Sequence, residues 1–370
     1  MITSADILVI GAGIGGASVA AHLAARRSVI VLEMEDRPGY HATGRSAAQY
    51  DQNYGPPLVQ ALSRASKSWF DAPPDGFAQS PILSPRPTLF IVPRGQEAAE
   101  TKFLHAQDAE SLPLKDAATL VPILHSGALI ASYFDRSTAD IDVDVLHQGY
   151  LRTLRQRSGK IVTNAEVVEL VRQESTWHCR TRAGDFAAGT IVNASGAWGD
   201  VVAGRVGARP LGLVPKRRSA ALLPNPNGHD SRNWPLTCDV AETFYFKPTG
   251  GALLISPADA TPVEPHDAFA DDMAIAEGIE RMQACTNVEV THLQHSWAGL
   301  RTFAPDGNPV VGEEPDFPGF WWLVGQGGYG IQTAPALSLI AASLIETGLV
   351  PQPFSAFGIT ADALSPHRLR

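Results

Sequence analysis

Within the first 37 residues, two apolar runs, at positions 7–10 and 29–32, bracket an Ala-rich stretch that opens at Gly11-Ala12-Gly13-Ile14-Gly15-Gly16 and closes on Glu33. Short continuous apolar runs bounded by turn residues predict buried strands, and the segment between them is long enough for a helix, so the pattern is a βαβ unit. Further along, Leu58, Leu62, Ala65 and Trp69 recur at helical spacing and predict a core-facing helix over 58–70. Residues 83–87 predict a rigid Pro-containing loop, 88–92 a strand, 97–107 a helix and 128–134 a strand. Leu146, Tyr150, Leu151 and Leu154 share one helix face. Strand patterns return at 161–162, 167–171, 177–180, 190–198, 211–223, 243–248 and 297–302. A buried strand over 320–324 then leads through Gly325-Gln326-Gly327-Gly328-Tyr329-Gly330-Ile331-Gln332 into a helix ending near Thr347.

A chain of 370 residues exceeds what one core usually organises, so about two domains are expected. The net charge of −9 argues against a nucleic-acid partner, which would need a Lys/Arg surplus. Three scattered cysteines, Cys179, Cys238 and Cys285, give neither a disulfide framework nor a zinc site and suit a reducing compartment. The nearly uncharged stretch 7–25 could pass for a membrane span, but its glycines, His22 and the lack of a basic leader oppose that. No other run of that length is free of charge, and a soluble, cytoplasmic protein is expected. Asp140, Asp142 and Asp144 resemble a metal cluster, yet carboxylates just before a helix are what its dipole favours, so no metal is expected there.

The βαβ unit carries the first chemistry. Gly11 permits the tight turn, Gly13 lets backbone approach a pyrophosphate, and Gly16 lets the helix pack closely on the strand. Phosphates would sit at the helix N-terminus, where free N–H groups favour negative charge. Glu33, 22 residues after Gly11, falls where a carboxylate accepts from ribose hydroxyls. An acid there disfavours a 2′-phosphate, leaving FAD or NAD. The Gly327–Ile331 turn offers a second set of helix-start N–H groups, suited to a reduced flavin's negative charge.

Gly39-Tyr40-His41-Ala42-Thr43-Gly44-Arg45-Ser46-Ala47-Ala48 resembles the flavin-binding loop of the D-amino acid oxidase and glycine/sarcosine oxidase group of FAD oxidoreductases, within which the chain is most similar to the bacterial D-arginine dehydrogenases. The resemblance implies an α/β fold: a Rossmann-like FAD domain from residues 1–48, 140–210 and 295–370, interleaved with an α+β substrate domain from 49–139 and 211–294 on a mostly antiparallel sheet. It implies FAD held by Gly11, Gly13, Ile14, Gly16, Glu33, Thr43, Gly44, Arg45, Ser46, Ala47, Ala48, Val167, Ala194, Gly196, Gly327, Gly328, Tyr329, Gly330 and Ile331. His41 stands where some related dehydrogenases attach flavin covalently, but the most similar group binds it non-covalently, and so does the expectation here.

The same resemblance implies that Arg301 clamps a substrate carboxylate, supported by Arg218 and Tyr245, with Tyr54 on a mobile loop over the site. A guanidinium fork matches a carboxylate as a lysine cannot. Hydride transfer from the α C–H to flavin N5 would give an imine that hydrolyses to a keto acid and ammonia, with no protein nucleophile. Gln49, Asp51, Thr88 and Gly328 would line the side-chain pocket. D-arginine dehydrogenases carry Glu at the Thr88 position and His and Thr at those of Gln49 and Asp51. Loss of that Glu removes a contact worth about 1.5 to 3 kcal/mol, so a neutral or modestly polar D-amino acid is expected over arginine, although Asp51 could restore an acid. A secondary amino acid of sarcosine or proline type, and a 2-hydroxy acid, which would want a histidine base where Gln49 stands, remain alternatives. A role on RNA would want a basic surface and paired cysteines. Quinone or oxygen is the expected electron acceptor.

Overall fold

The computed structural model describes residues 2–106 and 108–370. Its first sheet is built on the strand Thr3–Ile10, which pairs in parallel with Val29–Leu32 on one side and with Gly184–Asn193 on the other. All four residues of Ile7–Ile10 and of Val29–Leu32 are buried, because helices pack on one face and Leu8, Ile10, Ile30 and Leu32 pack on the other with Val167, Leu170, Trp177, Val202 and Ala203. The strand Phe320–Val324 extends the sheet in parallel beside Gly184–Asn193. The helices Ile14–Leu23, Pro57–Asp71, Val143–Gln156 and Gly330–Thr347 pack on one face through Ala17, Ala20, Ala21, Leu62, Leu146, Leu151, Leu337 and Ile340.

The predicted helix over 58–70 is Pro57–Asp71, with proline in its first turn, where its missing N–H costs nothing. The helix expected over 97–107 is Glu97–Ala106; Gln107 lies outside the described residues. Asp142 caps Val143–Gln156 by accepting from Val145 N–H at 2.9 Å. Asp140 is engaged elsewhere, between Arg86 and Lys247.

The second sheet holds Thr88–Pro93, Leu129–Asp135, Val214–Leu223, Leu236–Asp239, Tyr245–Thr249, Ala252–Ser256 and His295–Phe303, mostly antiparallel. One expected boundary shifts here. His295–Phe303, assigned from sequence to the nucleotide domain, pairs along Val214–Leu223 and so belongs to the second sheet. Strand pairing of nine registered positions outweighs its place in the chain. Likewise Leu83–Pro85, expected as loop, forms a short strand against Ala139–Ile141, within a small three-stranded sheet between the two large ones. Its one proline, Pro85, is tolerated because the strand lies at an edge. No helix among the described residues is long and apolar enough to cross a membrane.

Candidate active site

The ends of the first sheet's parallel strands open onto a long cavity of ≈ 260 Å³. Gly11, Gly13 and Ile14 form its floor, Glu33 and Val167 flank one end, and Arg301, Gly327 and Gly328 close the other. The turn is built for close approach. Gly11 has φ +99°, and a Cβ there would stand 2.6 Å from the Ala194 carbonyl oxygen. A Cβ on Gly16 would stand 1.9 Å from the Gly11 carbonyl oxygen, so only hydrogen fits where helix meets strand. Gly16 is therefore a packing residue and does not reach the cavity wall.

The helix Ile14–Leu23 begins without a capping side chain on Gly13, leaving N–H groups for an anion. Ile14 N–H is taken by Thr43 Oγ1 at 2.9 Å, and the Thr43 hydroxyl keeps its own proton to donate. Glu33 is 7% exposed and accepts from Ala12 N–H at 2.7 Å and Glu35 N–H at 3.1 Å. Burial raises its carboxyl above the ordinary carboxylate range, partly offset by those two donors. A buried acid at the end of the second strand wants more donors, which ribose hydroxyls supply. Ala194, Gly196 and Trp198 form the opposing wall. His41, which also borders the cavity, is held at 2.9 Å from Glu35 with its ring 4.6 Å from that of Trp198, at the Glu33 end and away from Arg301.

The loop 43–48 turns the cavity's corner. Gly44 N–H donates to Gly39 O at 2.8 Å, closing the turn without facing the cavity. Arg45 borders the cavity, and its guanidinium donates to the carbonyls of Ala268 and Ala298 and pairs with Asp267 at 2.5 Å. Ser46 and Ala47 border both the long cavity and a side chamber, while Ala48 faces the chamber alone. Lys247, 6% exposed, fixes Ala47 by donating to its carbonyl at 2.7 Å. At the far end, Gly330–Thr347 starts with no side-chain cap, and Gly330 and Ile331 line the cavity. Tyr329 instead stacks edge-on with Tyr54, ring centroids 5.1 Å apart, behind the wall.

The side chamber, at ≈ 140 Å³ about half the size, meets the long cavity at Arg218, Tyr245, Arg301 and Gly328. Arg218 and Arg301 stand on neighbouring antiparallel strands, and strand alternation sends Arg217 to the other face, where it pairs with Asp271. Arg218 is held by Nε, which donates to Asp259 O at 2.7 Å, while its terminal nitrogens hydrogen-bond to no other described residue. Arg301 Nη1 lies 3.4 Å from the Tyr54 hydroxyl. Burial and the Arg301 guanidinium next to it push Arg218 down from its ordinary value, so an anion placed between the two relieves both charges.

The chamber's other walls hold Gln49, Asp51 and Thr88, named from sequence, and Phe90, Leu236, Cys238, Glu242, Phe244 and Gln332, which were not. Thr88 is 3% exposed, and its hydroxyl is shared between Gln49 Nε2 and Thr138 Oγ1, each at 2.9 Å. Gln332 could have been found as a polar residue one turn into an otherwise apolar helix. Glu242 gives no such signal, since it reaches the rim through a loop with φ +53°.

The residues present fit FAD: a glycine floor for phosphates, an acid for ribose, a small-residue loop and an uncapped helix start at the far end. A protein-family model described as "DAO: FAD dependent oxidoreductase" matches residues 6–344. A glycine oxidase of Geobacillus kaustophilus (strain HTA426) is 24% identical, the alignment covering 95% of this chain and 96% of that protein. Among solved structures, an L-proline dehydrogenase from P. horikoshii has a TM-score of 0.79 at 19% identity, covering 100% of this chain and 98% of its own. An L-α-glycerophosphate oxidase from Mycoplasma pneumoniae, with FAD bound, has a TM-score of 0.81 at 18% identity, covering 93% and 95%. These structures share the fold. The chain belongs to the DAO family of FAD-dependent oxidoreductases, and FAD is its cofactor.

Proposed function

We propose that this flavoenzyme oxidises the amine of an α-amino acid, the D enantiomer with a neutral or modestly polar side chain in preference to arginine. The observation that carries this is the pair of guanidiniums, Arg218 and Arg301, flanked by Tyr54 and Tyr245 where the two cavities meet. When bound, FAD supplies an acceptor for the substrate's hydride. Arg301 and Arg218 bind the carboxylate and, with the Tyr54 and Tyr245 hydroxyls, fix the α carbon against the long cavity's end. Tyr54 and Gly55 form the turn that shields this junction from water, with Tyr329 packed behind Tyr54. The substrate's imine then leaves for hydrolysis to keto acid and ammonia.

Amine over alcohol oxidation is supported by the chamber's lining, which contains no histidine to take a hydroxyl proton. Preference against arginine is supported by Thr88, whose wall is neutral and whose hydroxyl is already engaged. The L-proline dehydrogenase among the similar structures keeps a secondary amino acid as the second reading. A panel of D-, L- and N-methyl amino acids and of 2-hydroxy acids, mixed anaerobically with the purified yellow protein, tests all of this through bleaching of the flavin bands. Bleaching by D-arginine alone, by L-enantiomers alone, or by 2-hydroxy acids would refute it.

A further inference from the structure

One wall of the side chamber has no part in binding the carboxylate or shielding the flavin. Asp51 is fixed at both ends of its backbone and at one side-chain oxygen: its N–H donates to Gln332 Oε1 at 2.9 Å, and its Oδ1 accepts from Asn53 N–H at 2.8 Å. Asp51 borders the chamber, and no Lys, Arg or His among the described residues forms an ion pair with its carboxylate. Glu242 adds a second carboxylate at the rim. The chamber thus has a cationic end, Arg218 and Arg301, and an acidic flank, Asp51 and Glu242. With a substrate carboxylate between the guanidiniums and its α-amine in the neutral form that can give up hydride, one negative charge is left over, and a single positive charge on the substrate's side chain would balance it.

We infer that Asp51 determines side-chain specificity by accepting a hydrogen bond from a short ammonium on the substrate, so that the enzyme favours a short diamino acid over neutral or acidic amino acids of the same size. The inference rests on the amino-acid reading above and keeps its preference against arginine, but replaces the neutral or modestly polar side chain with a short cationic one. The donor must be short because Asp51 and Tyr54 belong to one tight turn, with Tyr54 N–H donating to Asp51 O, and Tyr54 touches the carboxylate-binding Arg301. The neutral wall at Thr88 gives a longer guanidinium nothing further along. Burial, with the carboxylates of Asp135 and Glu242 adding to it, holds the Asp51 carboxyl at about 6, as befits an acid with no cation beside it.

The remaining groups facing Asp51 do not compete. Cys238 and Tyr50 are pushed upward by burial and stay neutral between pH 5 and 8. Arg218 and Arg301 remain charged throughout. The second ammonium lowers the α-amine pKa of diaminobutyrate below that of norvaline, which offsets the ratio by a near-constant factor over this range and does not make it rise with pH.

The experiment is anaerobic flavin reduction by 2,4-diaminobutyrate and by norvaline, which replaces its ammonium with a methyl group, in whichever configuration the enzyme accepts. The apparent second-order rate constants are compared from pH 5 to 8 for the wild type, Asp51→Asn and Glu242→Gln, each checked for bound FAD by its visible absorbance. Asn keeps the acceptor for Asn53 N–H. The diaminobutyrate/norvaline ratio is expected to rise about tenfold or more as pH passes 6, to lose that rise in Asp51→Asn, and to keep it in Glu242→Gln. A wild-type ratio that is flat or favours norvaline up to pH 8 overturns the inference, even if Asp51→Asn fails to hold FAD. So does a rise that survives Asp51→Asn or vanishes only in Glu242→Gln. If no amino acid reduces the flavin, the proposed function itself fails; if amino acids do and the ratio ignores Asp51, only the present inference falls.

Discussion

Replacing Arg301 separates charge from geometry at the junction of the two cavities. Lysine keeps the positive charge but forfeits the fork, so one of two charge-assisted hydrogen bonds to the carboxylate is lost, worth about 1.5 to 3 kcal/mol or roughly 10- to 150-fold in kcat/KM. Methionine removes both bonds and the charge. That loss is softened, because Arg218, depressed by burial and by Arg301, becomes the sole partner of the carboxylate and is relieved of its neighbour. A fall on the order of a thousandfold is expected for Arg301→Met. The carboxylate keeps its charge while hydride leaves the α carbon, so the clamp holds ground and transition states nearly alike, and the loss should fall mainly on substrate affinity. Stopped-flow flavin reduction at varied substrate concentration yields the dissociation constant and limiting rate separately. An Arg301→Lys enzyme binding within threefold of wild type, with FAD in place, would refute the assignment of Arg301 as the clamp.

Three further outcomes follow from the geometry. Gly328→Ala places a Cβ 2.9 Å from the Arg301 guanidinium, which can swing aside, so the protein should fold and hold FAD while KM rises severalfold or more; an unchanged KM would contradict this. Gly16→Ala meets backbone at 1.9 Å, which cannot move, so loss of FAD binding or of soluble protein is expected, read from the ratio of visible to ultraviolet absorbance. Asp51→Asn should raise the melting temperature at pH 7.5: a carboxyl raised from 3.8 to about 6 costs stability fully above the higher value and not at all below the lower one, at most about 3 kcal/mol. The gain over wild type should shrink as pH falls from 6 towards 4, and a gain that grows on acidification would be the wrong sign.

The nucleotide half of the fold was legible because its determinants are local. Strand, glycine turn, helix and acid lie within one short stretch, and each residue type is demanded by its immediate neighbours, as Gly11 and Gly16 illustrate. The second sheet was legible as strands but less so as partners. Nothing local in His295–Phe303 says that it pairs with Val214–Leu223, a segment far back in the chain, instead of with the strands that follow it. The side chamber was harder still: Phe90, Leu236, Cys238 and Phe244 read as ordinary core positions, and only the assembled sheet leaves a gap beside them.

Arg45 illustrates why a residue's presence in a binding loop does not reveal what it does there. It borders the long cavity, where the sequence placed it, but its guanidinium is spent on Ala268, Ala298 and Asp267, stitching the loop to the second sheet. Lys247 does the same from inside, bridging Ala47 O and Asp140, which in turn meets Arg86; Arg86 then binds the Trp234 carbonyl, and its own carbonyl accepts from Gln49 at 3.3 Å on the chamber wall. A loop of small residues cannot fix its position by packing, because it has too little side chain to interdigitate. Buried charges that would be costly unpaired tolerate only the arrangement that pairs them. The network therefore ties the loop Ser46–Ala48, of which Ser46 and Ala47 border both cavities, to the wall that selects the side chain, so that the seat of the flavin and the shape of the chamber are set together.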